Sequence, residues 1–186
     1  LLGVSRTSVR EALRELESEG LISTEGGRPM VTVLSERELR EIYQVRVVLE
    51  SLAARLFARN ATRAQFLELS AAAEALYEVY DNYAIAPFLT AKARFYEALF
   101  AGAGNQVAAA MLRIIHTKVS QLRAASLASN NRAQVSVGEI RKLVAALEAK
   151  DETQAAALTV EHIENASAAA MLALHDRDEA ARTAAG

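Results

Sequence analysis

The sequence predicts a mainly α-helical chain in two parts. Residues 1–34 read as a short helix and a two-stranded hairpin, and residues 35–175 as an antiparallel bundle of about six helices, seven if the last stretch forms its own; residues 176–186 read as a tail. Three observations predict this: apolar residues recur at helical spacing almost throughout, Gly and Pro cluster with short β-type runs only near residues 20–34, and capping-box patterns open long periodic segments.

The first element runs from Ser5, a good N-cap, with Val9, Ala12, Leu13 and Leu16 on one face expected to pack inward. At ~100° per residue, Arg6, Arg10 and Arg14 fall on another face with Thr7 at its edge, while Glu11 and Glu15 point elsewhere. Arginine offers a rigid fork for guanine edges or phosphate, and the major groove admits one helix. Gly20 should end the helix. "LIST" and "MVTV" then read as strands joined by "EGGRP", where Gly26 and Gly27 allow close backbone approach to a phosphate and Arg28 supplies charge. An exposed helix with solvated arginines and an ordinary hairpin is the other reading of the same residues.

"SERE" at Ser35 opens a helix to about Asn60, with Leu39, Ile42, Leu49, Ala53 and Leu56 inward, and "TRAQ" at Thr62 opens the next, with Phe66, Leu69, Ala73, Leu76 and Tyr80 inward. A third starts near Pro87 and carries Phe88, Phe95 and Leu99 to a Gly102–Gly104 break. The fourth is expected from Gln106 to Ser126. After the polar "SNNRAQ", a fifth spans Val135 to Ala149 and a sixth Thr153 to near Leu174; "HDRDEAARTAAG" is a weak extra helix or a tail. Short links between amphipathic helices imply a bundle.

Composition limits function. The chain has 186 residues, 52% of them hydrophobic, and a net charge of −2, so any DNA contact must come from local placement of charge. Without cysteine, thiolate metal sites and cysteine nucleophiles are excluded. No apolar run approaches membrane-spanning length, and no charged start with an apolar run marks a signal peptide, so no membrane association and a cytoplasmic location are expected. No phosphate loop, nucleophile elbow or zinc-protease motif occurs, which leaves an enzyme reading without support.

The run "LGVSRTSVREALRELESEGLI" followed by "GGRPMVTV" resembles the winged helix-turn-helix of the GntR family of bacterial transcription regulators over residues 1–34. The resemblance implies DNA contacts by Ser5, Arg6, Thr7 and Arg10 on the helix and by Gly26, Gly27 and Arg28 on the wing. Family members carry about a helix and a half before this point, so a segment upstream of residue 1 is expected. The helix order, "YQVRVVLESLAARLFA" and "AGAGNQ" are similar to the FCD domain attached to the FadR branch of that family.

FCD domains commonly hold a metal through an Asp and three His. Those positions fall here on Lys92, Tyr96, Ile140 and His162. One imidazole, a phenol and an apolar side chain do not replace such a set, and an ammonium repels a cation, so no metal or other cofactor is expected. Lys92 and Tyr96 share the inward stripe with Phe88, Phe95 and Leu99. Two accounts of Lys92 stand: it snorkels outward or pairs with Glu161 or Glu164, or it joins Tyr96 and His162, with Ile140 at the remaining position and Arg46 on the neighbouring stripe, in binding a small anionic effector. Glu50, one turn from Arg46, could instead neutralise it. His116 reads as a core or boundary histidine. The resemblance implies a regulator, expected to be a repressor, that binds a palindromic operator as a homodimer under control of that effector; a helical binding protein with a degenerate helix-turn-helix is the alternative.

Overall fold

The computed structural model describes residues 5–18, 20, 22–25, 28–127 and 130–185. Ser5 caps α1 (Arg6–Ser18), its Oγ accepting the Ser8 N–H at 3.1 Å. Gly20, with φ +71°, ends the helix in a conformation that favours glycine. The hairpin follows as β1 (Ile22–Glu25) and β2 (Arg28–Val31), antiparallel, with Ile22 opposite Val31 and Glu25 opposite Arg28. Arg28 and Pro29 were expected in the loop and instead begin the second strand; a two-stranded ribbon has only edges, where proline is tolerated. Gly26 and Gly27 lie outside the described residues.

One expectation for α1 is corrected. The face of Val9, Ala12, Leu13 and Leu16 does not pack inward: no residue of α1 is buried, and Val9 is 43% exposed. The element that α1 contacts most is the small hairpin, and it leaves Val9, Ala12 and Leu16 exposed.

The bundle comprises α2 (Glu36–Asn60), α3 (Arg63–Asp81), α4 (Ile85–Ala103), α5 (Gln106–Lys118), α6 (Ser120–Leu127), α7 (Asn130–Glu148) and α8 (Glu152–Ala185). Both expected capping boxes form, Ser35 with Glu38 and Thr62 with Gln65. Pro87 sits in the first turn of α4, where a missing N–H removes no helical bond. Gly104, with φ +72°, ends α4, whereas Gly102 is inside it. Asn105 caps α5 by accepting from the Ala108 N–H at 3.0 Å.

The helix expected to open at Pro87 opens at Ile85 instead, and three further boundaries differ from the sequence reading. The expected fourth helix is two, α5 and α6, broken at Val119, whose fully buried side chain packs with Leu122 against Leu39, Ile163 and Leu174. The fifth starts at Asn130, so the polar stretch expected as a link is partly helix. The sixth runs on to Ala185 because the stretch read as a tail holds no Gly or Pro before residue 186 and is rich in alanine.

α2 lies along α8 and α4, α3 packs on α4 and α7, and α7 on α8. The apolar interior is in two clusters. The larger gathers Ala53, Phe57, Leu69, Phe88, Phe95, Leu99 and Ile140; the smaller gathers Leu39, Tyr43, Val119, Ile163 and Leu174. Along α2, Arg46 and Glu50 fall between Tyr43 of one cluster and Ala53 of the other. That junction is where the buried polar groups collect.

Candidate functional site

Two surfaces carry chemistry. The first is on α1, where Arg6, Thr7, Arg10 and Arg14 are exposed and none of the ion pairs formed among the described residues takes up their charge. Ser5 is also exposed, but its hydroxyl is engaged with the Ser8 N–H and hydroxyl. Arg28 is exposed at the start of β2.

The second surface is internal. A cavity of about 10 Å³, room for one water, is lined by Tyr43, Arg46, Lys92, Tyr96, Arg123, Ser126, Arg132 and His162 among others. Four of the five effector positions expected from sequence therefore meet: Arg46, Lys92, Tyr96 and His162. Ile140 does not line the cavity and belongs to the larger apolar cluster. Its neighbours on α7, Ser136 and Glu139, serve the polar groups instead.

Arg46 donates from Nε to Glu50 Oε1 at 2.7 Å, and both side chains are buried. His116 Nε2 lies 2.9 Å from the same oxygen. The Arg46 guanidinium also sits 4.6 Å above the Tyr43 ring, yet its Nη1 has no partner, nor has Glu50 Oε2. On the other side, Lys92 Nζ donates to Ser136 Oγ at 2.6 Å, and Tyr96 Oη meets His162 Nε2 at 3.0 Å. His162 Nδ1 contacts Glu139, which also accepts from Asn165 at 2.8 Å and from Arg132 at 3.1 Å. Lys92 thus takes neither carboxylate partner considered from sequence; Glu161 and Glu164 are exposed. Arg123 stacks at 5.4 Å over the Tyr96 ring, and Nη2 of Arg123 and of Arg132 lack partners.

The electrostatics follow from this crowding. Burial, then the charges of Arg123, Arg132 and Arg46, hold the Lys92 ammonium well below the usual lysine range. Burial would raise Glu139, but the His162 hydrogen bond and charge and Arg132 outweigh it and bring the carboxyl down to about 2. Glu50 is likewise held low by Arg46 and His116 against the effect of burial. Burial and Lys92 bring His162 down to about 4, and burial and Arg123 bring His116 down to about 3. At neutral pH both imidazoles are uncharged and both carboxylates accept only. His162 therefore donates from Nδ1 to Glu139 and accepts the Tyr96 hydroxyl at Nε2, and His116 donates from Nε2 to Glu50.

A metal does not fit this donor set. Both ring nitrogens of His162 are engaged, Lys92 stands where an anionic ligand would be needed, and among the described residues no three His, Asp or Glu side chains gather to hold one. What the arrangement offers is guanidinium and amine donors in excess of acceptors, a donor set whose chemistry suits an anion.

Sequence reading missed Arg123, Arg132, Ser136 and Glu139. Arg123 follows the break at Val119, which resets the helical phase; Arg132 sits in a stretch whose polarity reads as a link. Glu139 was legible only as the neighbour of Ile140.

Comparison with known proteins assigns the two parts of the chain to domains. Residues 41–165 match the FCD domain, and residues 1–31 match the bacterial regulatory proteins of the gntR family. The uncharacterized HTH-type transcriptional regulator YdhC of Bacillus subtilis is 24% identical over 155 residues, 82% of this chain and 69% of that protein. The gluconate operon transcriptional repressor of Bacillus licheniformis is 48% identical over 48 residues, 26% of this chain and 20% of that protein. Among solved structures, E. coli McbR/YncC has the same fold, with a TM-score of 0.78 at 23% identity, covering 88% of this chain and 83% of that one.

Proposed function

Because the chain belongs to the gntR family of bacterial regulatory proteins and carries an FCD domain, we propose that it is a cytoplasmic repressor whose operator affinity is set by a small anionic metabolite bound among Arg46, Lys92, Tyr96 and His162. The single observation that carries the DNA half is the arginine face of α1, exposed and free of intramolecular ion pairs among the described residues. Arg6 and Arg10 enter the major groove with Thr7 beside them, and Arg14 and Arg28 meet the phosphate backbone. The proposed contacts include Gly26 and Gly27, which lie between Glu25 and Arg28 in sequence.

The reading includes a homodimer on a palindromic site, since two short recognition helices gain affinity by acting together. No helix of the described chain is long and apolar enough to cross a membrane. The family and the relatives it matches are named as regulators of transcription.

The test is a fluorescence-anisotropy titration of the full-length protein against DNA selected from a random pool. Arg6→Ala and Arg10→Ala each cost about 1–3 kcal/mol on the selected site. Arg28→Ala weakens binding to all sequences alike. Wild-type affinity in both helix variants at moderate salt removes the contact assignment.

A further inference from the structure

Resting on the reading of the internal cavity as the effector site, we propose that its ligand is a compact dianion, held directly by side-chain cations without a metal, with Lys92 supplying the central charge. Three observations carry this. Arg46, Lys92, Arg123 and Arg132 all line one cavity, arriving from α2, α4, α6 and α7. The carboxylates that enter the same network are Glu50 and Glu139. With Lys92 protonated, four cations against two carboxylates leave two positive charges for a ligand to match.

The second observation is the donors left over. Arg46 is only 1% exposed, and its Nη1 has no partner; Arg123 Nη2 and Arg132 Nη2 are in the same condition. A buried donor without an acceptor costs about 1–3 kcal/mol, and three guanidiniums turned to one space are satisfied together by oxyanions. The third is the neutral groups. Both faces of His162 are occupied, by Tyr96 and Glu139, so this histidine fixes the wall and leaves the ligand to the cations.

Access follows from shared walls. Tyr96 and Arg123 line both the cavity and an open surface cleft of about 480 Å³ bounded by Glu97, Arg113, His116 and Ser120. Arg123 stands at that junction, and the walls nearest the space are long side chains, so rotamer changes rather than backbone shifts admit an anion larger than the cavity itself.

Lys92 gives the proposal a signature that a structural lysine lacks. Its ammonium faces Arg46 from α2, Arg123 from α6, Arg132 from α7 and His162 from α8, with Glu139 as the opposing charge. An added dianion opposes the surrounding cations and shifts the Lys92 ammonium back toward its ordinary range, so any proton exchanged on binding is an uptake.

The experiment is titration calorimetry and thermal shift on the full-length protein in EDTA, with malonate and succinate as dicarboxylates, inorganic phosphate as the other dianion, and acetate as the monoanion. At least one dianion is expected to bind and raise Tm, acetate to do neither, and the heat to differ between buffers of unlike ionisation enthalpy in the sense of proton uptake. Lys92→Met and Arg123→Gln each weaken the binding roughly tenfold or more, the second at a half-buried position where folding is least at risk. A dicarboxylate that binds where phosphate does not identifies a carboxylate ligand, and the reverse a phosphate ligand. The proposal is overturned if no dianion binds, if acetate binds as well as they do, if binding needs added zinc or nickel, or if both variants keep wild-type affinity. Operator binding measured on the same preparations separates the two readings: DNA released by an uncharged metabolite alone leaves the repressor standing and removes the dianion.

Discussion

At residue scale, His116 and His162 are both neutral in the fold although each touches a carboxylate. Burial and nearby cations bring them to about 3 and about 4, below the ordinary value of about 6.5. A group whose folded value is depressed is protonated first in the unfolded chain, so the stability it contributes is present above the ordinary value and is lost as pH falls toward the folded value. Each histidine therefore adds up to about 1.4 kcal/mol of lost stability per pH unit below about pH 6.5. Lys92 acts with the same sign, and Glu50 and Glu139, also depressed, join only below the ordinary carboxylate range. Urea unfolding between pH 7.5 and 5 is expected to show this loss, and in the variant carrying both His116→Gln and His162→Gln the slope falls by up to about two protons, the full difference appearing only near pH 5. An unchanged slope would mean that the imidazoles are charged in the fold. The same scale explains which site residues were legible. Arg46, Lys92, Tyr96 and His162 lie on regular stripes or at motif positions within uninterrupted helices, so spacing alone turns them inward. Arg123 and Arg132 flank the two breaks of the region, and there spacing carries no direction.

At element scale, two glycines that read as one break do different things. A Cβ on Gly102 would lie 2.2 and 2.5 Å from ring carbons of Phe57, a fully buried core side chain of α2, so this glycine sets how closely α2 and α4 approach. Gly104 has open space around it and φ +72°, so its demand is conformational. Gly102→Ala is expected to cost about 1–3 kcal/mol by overpacking and to be partly rescued by Phe57→Leu. Gly104→Ala is expected to cost about 1–2 kcal/mol as left-handed strain, with no rescue by the same partner; equal response of both to Phe57→Leu in denaturant titrations would contradict the assignment. Capping and termination were legible in the sequence because they are local: Ser35, Thr62 and Gly104 act within one turn. The break at Val119 was not, since it carries no Gly or Pro and is fixed by what Val119 and Leu122 pack against on α2 and α8. The length of α8 was misjudged for the converse reason. A stretch poor in apolar stripe was read as a tail, although intrinsic propensity sufficed to continue the helix.

At the scale of the whole molecule, an apolar feature stands on the outside. Val45, Val48 and Leu52 on α2 and Val107, Met111 and Ile114 on α5 are all exposed, with Val48 at 64% and Val107 at 67%. Their spacings place each trio on one helical face, and α2 and α5 pack side by side, so the trios combine into a single patch. Two helices presenting one apolar face suit a two-fold contact with a second copy, in which each α2 meets the partner's equivalent surface. Val48→Glu and Met111→Glu each place a carboxylate in the middle of the patch, on exposed positions that face away from the buried Arg46 and Glu50. Sedimentation equilibrium is expected to show the wild-type protein as a dimer and both variants shifted toward monomer. Operator affinity falls with the loss of the second half-site, while dianion binding in calorimetry is retained, since that cavity is built within one chain. A wild-type monomer on and off DNA would remove the homodimer, and a dimer untouched by either substitution would move the contact to another face.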